Sequence, residues 1–103
     1  QNLAKIEIIN DDVKKLDRYL NPQKKFCLVY LDLDLYEATI SVLNLIDKYI
    51  VKNGVIVFDQ ALKKEWVGEK KAMQEFYRLY KSKYKIIKLN KNFSPDVILK
   101  KLK

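Results

Sequence analysis

Short, continuously apolar runs alternate along the chain with longer stretches that carry one apolar stripe, a succession that predicts strands alternating with helices. Ile6 to Ile9 is a short run rich in β-branched residues and predicts a strand. Asn10 and Asp11 offer N-cap oxygens, and Val13, Leu16 and Leu20, spaced by three and four, predict an amphipathic helix that Pro22 ends. Phe26 to Leu31 is apolar throughout, as expected of a strand buried on both faces of a parallel sheet, and it stops at Asp32-Leu33-Asp34. A second helix is expected from about Tyr36 to Val51, with Tyr36, Ile40, Leu43, Ile46 and Ile50 on its apolar stripe. Asp34, three residues before Glu37, forms an acidic variant of the capping box, and Asn53-Gly54 supplies the helix stop.

Val55 to Phe58 repeats the pattern of the earlier strand and again ends in a carboxylate, Asp59. The polar loop Gln60 to Gly68 leads to a helix over Glu69 to Ser82, with Ala72, Met73, Phe76, Leu79 and Tyr80 as its apolar face. Tyr84 to Leu89 and Val97 to Leu102 close the chain as two strands too near in sequence for a helical crossover, so they should pair antiparallel. The order β-α-β-α-β-α-β-β predicts an α/β domain with a mostly parallel sheet.

Composition narrows this picture. With 103 residues there is room for one core, so residues 1–103 are read as a single domain. The single cysteine, Cys27, excludes an internal disulfide and suits a reducing, cytoplasmic setting; placed inside a buried strand, it is expected to act as a small hydrophobe. The chain has no His, which removes the commonest general base and, with only one Cys, any structural zinc site. No apolar run reaches the roughly 18–20 residues of a membrane span. The chain does not start with Met, so it is expected to be part of a longer polypeptide.

The chemistry concentrates at strand ends. In open α/β sheets ligands sit beyond the carboxyl ends of the parallel strands, and Asp32, Asp34 and Asp59 lie at two such ends. Carboxylates on neighbouring strands can share one Mg²⁺, which takes oxygen ligands and keeps water. Each of them also has a simpler role open to it, in capping or in the turn. Trp66 either lines a pocket or anchors its loop in the core.

Leu31-Asp32-Leu33-Asp34-Leu35-Tyr36-Glu37-Ala38-Thr39 resembles the strand-end motif of macrocin-type O-methyltransferases, Rossmann-like enzymes that use S-adenosylmethionine. Lys52 to Asp59 is similar to the family's turn, strand and acidic end, and Trp66-Val67-Gly68 followed by Lys71 to Phe76 is similar to its tryptophan-glycine loop and next helix. The closing strand pair matches as well, so four motifs stand in order over residues 6–103. The resemblance implies the carboxyl-terminal half of a methyltransferase fold: a partial Rossmann-like sheet with helices packed on it. It also implies Asp32, Asp59 and Gln60 as metal ligands, with Asp34 and Trp66 near a sugar-like acceptor.

Two departures matter. The family's Gly-rich loop and ribose-binding acid have no counterpart here, since Gly54 and Gly68 are the only glycines. The chain alone is therefore expected to be inactive and to bind neither S-adenosylmethionine nor Mg²⁺ firmly, and no catalytic or cofactor-binding residue is assigned. Gln60 stands where the family has a second Asp, which removes a charge from the metal site.

The alternative reading is a non-catalytic α/β module that pairs with another protein. The formal charge is +8, and residues 81–103 hold eight Lys against one acid, Asp96. Without a stacking platform of aromatics, that tail gives little support to nucleic-acid binding. In the resembled fold Phe26 to Leu31 lies mid-sheet; here it becomes an edge. Either Ile6 to Ile9 folds back over it, or two copies pair through it as a homodimer, which is favoured.

Overall fold

The computed structural model describes residues 5–63, 67–90 and 92–103. Four strands form one sheet in the order β1-β2-β4-β3, where β1 is Phe26–Leu31, β2 is Ile50–Phe58, β3 is Tyr84–Lys88 and β4 is Val97–Lys101. A 3-10 helix, Val13–Tyr19, precedes β1. Helix α1 (Tyr36–Ile46) and a 3-10 turn (Asp47–Tyr49) join β1 to β2, and helix α2 (Val67–Tyr80) joins β2 to β3. β1 and β2 are parallel, and β4 runs antiparallel to both β2 and β3. Three strands thus share one direction and the fourth opposes them, in line with the partial Rossmann-like sheet expected from the sequence.

The register sorts the side chains into two faces. Val29, Leu31, Ile56, Phe58, Leu99, Val97 and Tyr84 face the helices, where Val42, Leu43 and Ile46 of α1 and Ala72, Met73 and Phe76 of α2 cover them. The Phe76 ring meets Tyr80 at 4.7 Å and Tyr84 at 5.3 Å between centroids. Each fully buried large side chain of this layer contributes about 1.5–3 kcal/mol by leaving water. The other face, with Leu28, Tyr30, Val55, Ile98 and Ile87, carries none of the described helices; Leu28 stays 57% exposed and Tyr30 49%.

Several expectations are corrected. Ile6 to Ile9 forms no strand and is exposed throughout, because four residues gain too few ladder bonds to fix their backbone. The helix after it is a 3-10 helix capped by the Asp12 side chain, which accepts from the Lys14 N–H at 2.9 Å. Cys27 is exposed rather than buried, since β1 is a sheet edge with one open face. Helix α1 ends early, and Asn53-Gly54 lies inside β2, where the register with β1 shifts. Asn53 takes φ 71° there, and a Cβ on Gly54 would sit 2.9 Å from the Val51 carbonyl oxygen, so the pair serves a bulge and not a helix stop. Leu79, assigned to the apolar face of its helix, is 73% exposed.

Tyr84, buried under α2, donates its hydroxyl proton to Asp47 Oδ1 at 2.6 Å, and Lys101 Nζ donates to the Asp47 carbonyl oxygen at 2.6 Å. Burial first, and then the bond to Asp47, pushes the Tyr84 phenol well above its usual range. The unfolded chain therefore loses this proton first as pH rises through about 10, while the folded chain keeps it. The stability from Tyr84 is complete below that point and is lost on going further up. Urea unfolding should show a lower midpoint at about pH 11 than at about pH 9, with a smaller drop for Tyr84→Phe.

Candidate functional site

The register aligns Leu31 with Phe58 and Phe58 with Val97, so the carboxyl ends of β1 and β2 meet the start of β4 along one rim. Asp32, Asp59 and Asp96 are the residues next to these positions. Asp59 N–H donates to the Leu31 carbonyl oxygen at 3.0 Å and carries the β1–β2 ladder one residue past the strands. This brings Asp32 and Asp59 together. The Asp32 carboxyl is held above the usual carboxylate range, first by loss of water contact and then by the negative charges of Asp59 and Asp34. Tyr30, on β1, donates its hydroxyl proton to Asp59 Oδ1, and that bond raises the phenol to about 12.

Asp34 is not the N-cap of α1. The helix starts at Tyr36, as expected, but its cap position falls on Leu35 with no side-chain bond, and Asp34 takes the left-handed conformation, φ 64°. That turn is held tightly by the start of α2. A Cβ on Gly68 would lie 2.7 Å from both the Asp34 carbonyl oxygen and the Tyr36 nitrogen, so only glycine lets the helix approach.

Glu69 follows, fully buried, and accepts the Gln60 N–H on Oε2 at 2.8 Å. Burial raises its carboxyl above the usual range, and the backbone N–H groups of Gln60 and Asp34 oppose the rise. One carboxylate thus spans the loops that follow β1 and β2. The Oδ1 of Asp34, the Oε1 of Gln60 and the Oε1 of Glu69 are all buried without a hydrogen-bond partner. Asp96, also fully buried, accepts from the N–H groups of Ala61 and Leu62 at 2.8 and 2.9 Å and pairs with Lys63 at 3.3 Å.

The resulting rim is rich in acceptors and short of donors, a donor set suited to a hard cation or to ligand hydroxyls. Among the described residues no three Asp, Glu or Cys side chains cluster closely enough to hold a metal by themselves. Of the ligands that the resemblance implies, Asp32 and Asp59 stand at the adjoining ends of β1 and β2, and the Gln60 amide oxygen is buried without a hydrogen-bond partner. Trp66 lies outside the described residues.

Sequence reasoning missed Glu69 and Asp96. Asp96 had a signal, being the one acid in a lysine-rich tail and standing directly before a strand. Glu69 had none beyond its place one residue after Gly68.

Comparison with known proteins gives the fold a context. Two structures of CalS11, a TDP-rhamnose 3'-O-methyltransferase of calicheamicin biosynthesis, match 90% of this chain at 33% identity and a TM-score of 0.74. The match takes in 39% and 36% of those chains, so this chain spans about two fifths of their length. An O-methyltransferase from Bacillus cereus in complex with SAH matches 88% of this chain and 46% of its own at 13% identity and a TM-score of 0.58, which shows the fold alone. No protein-family model and no curated protein sequence matches the chain. The sheet and its helices are structurally similar to part of an O-methyltransferase, and the narrower macrocin-type resemblance rests on the motifs.

Proposed function

We propose that this chain is the carboxyl-terminal half of an S-adenosylmethionine-dependent O-methyltransferase domain acting on a sugar or similar hydroxyl. The observation that carries the reading is its 33% identity to CalS11 over 90% of the chain, with paired carboxylates at the ends of β1 and β2. Asp32 and Asp59, with Gln60, would hold a divalent cation, which in such a site polarises the acceptor hydroxyl and lowers its pKa. Tyr30 fixes Asp59 by holding Oδ1, which leaves Oδ2 for the ligand side. Glu69 keeps the two loops at a set separation, so both carboxylates address the same acceptor. Asp34, in the turn after β1, would contact the acceptor's other hydroxyls.

The test is methyl transfer from S-adenosylmethionine to TDP-rhamnose by the full-length polypeptide that contains this chain. A methylated sugar nucleotide is expected, with kcat/KM lowered about a hundredfold or more in Asp59→Asn. The 103-residue chain by itself should bind S-adenosylmethionine more weakly than a Kd of about 100 µM. Full-length protein that is folded and transfers no methyl group to any sugar hydroxyl would overturn the assignment in favour of a non-catalytic interaction module.

A further inference from the structure

Helix α2 has a second working face. While Ala72 and Phe76 enter the core, Lys70, Tyr77, Arg78 and Lys81 line a groove between the helix and the β3 edge, with a volume of about 610 Å³. Ile86 and Lys88 form its opposite wall, because they share the sheet face of Tyr84, which packs on α2. Four cations therefore border one concavity whose floor is apolar.

Nothing described neutralises them. The ion pairs among the described residues use Lys15, Lys63 and Lys101. The two acids of α2 are engaged elsewhere, Glu69 with the Gln60 N–H at 2.8 Å and Glu75 with the Tyr36 hydroxyl at 2.7 Å. Arg78, in the last turn of α2, and Lys81, just past its end, put two like charges on the same groove. A groove with walls of low dielectric and one sign of charge concentrates counter-charge within it. Eight residues of helix separate Lys70 from Arg78, about 12 Å, which is close to the length of a nucleoside polyphosphate. Arg78 supplies a fork that matches phosphate oxygens, and Tyr77 adds an aromatic side chain to the same lining.

We propose that this groove binds a nucleotide-sized phosphate ester, its phosphates held by Arg78 and Lys81 at one end and its ring laid on Tyr77 and Ile86, with Lys70 and Lys88 adding to the positive charge of the groove. A small molecule fits better than a nucleic acid strand, because the cations surround one pocket with an apolar floor. The site is separate from the carboxylate rim and stands whether or not the methyl-transfer reading holds.

Calorimetric titration of the 103-residue chain with ATP, inorganic tripolyphosphate and a single-stranded oligothymidylate tests it. ATP should bind more tightly than tripolyphosphate, because its ring adds contact with the floor. Arg78→Gln combined with Lys81→Gln should weaken ATP about tenfold or more, while Lys52→Gln, an exposed lysine on β2, should leave it unchanged. All these positions are at the surface, and an unchanged far-ultraviolet dichroism spectrum shows that each variant is folded. No ATP binding up to about 5 mM overturns the proposal. So does tripolyphosphate binding as tightly as ATP and equally in every variant, which is diffuse surface charge. Tighter binding of the oligonucleotide than of ATP at equal salt also overturns it and makes the groove a nucleic-acid surface.

Discussion

Asp96→Ala should cost the fold about 3 kcal/mol or more, because it strips a buried and a half-buried backbone donor of their acceptor at once and empties a fully buried site. The Asp96 carboxylate takes the N–H groups of Ala61 and Leu62, and its partner Lys63 is left with one bond fewer. Its own backbone ties the same region: Asp96 N–H donates to the Phe58 carbonyl oxygen at 3.1 Å, and Leu89 N–H donates to the Asp96 carbonyl oxygen at 2.8 Å. These backbone bonds survive the substitution, so the strands stay paired and the loss falls on the loop after β2. A domain of this size loses roughly 4–8 °C of Tm per kcal/mol, so a fall of more than about 12 °C is expected in a thermal melt. Asp96→Asn should recover part of it, since the amide oxygen can serve one N–H while its NH₂ group opposes the other. A loss below about 1 kcal/mol for the alanine variant would show that water replaces the carboxylate at little cost.

Asp96 marks the boundary of what the sequence makes legible. Strands and helices with strong patterns were readable: Phe26 to Leu31, Val55 to Phe58, the core of the helix around Phe76 and the closing pair all stand where the apolar runs put them. The acidic strand ends were readable too, because a carboxylate directly after an apolar run marks the rim of such a sheet. Features set by another element's approach were not. Cys27 and Leu28 look buried in sequence, and only the strand order makes them an edge. Asn53-Gly54 has the composition of a helix stop, and only pairing with β1 turns it into a bulge. Glu69 sits on a helix whose pattern makes it a solvent residue, yet Gly68 draws that first turn against the Asp34–Tyr36 backbone and buries it. Long-range contact, which periodicity does not encode, decides each of these cases.

The two edges of the sheet are protected very differently, and the difference predicts association of the 103-residue chain. β3 carries Lys85 and Lys88, which discourage a neighbour from pairing with it. β1 carries neither Lys nor Pro, and its Leu28 and Tyr30 are exposed on the face without helices. Ile6 to Ile9, the one segment expected to cover this edge, does not do so. Two copies meeting along β1 about a two-fold axis would pair antiparallel, make one eight-stranded sheet and satisfy the free backbone groups of both edges. They would also bring the apolar face of each copy, from Leu28 to Ile98, into one continuous surface. Sedimentation equilibrium at micromolar concentration should therefore give twice the 12.3 kDa mass of the chain. Leu28→Lys should return the monomer without unfolding it, since the side chain replaced is already 57% exposed. A wild-type monomer at about 50 µM, where a pairing weaker than about 6 kcal/mol would go unseen, would rule the contact out.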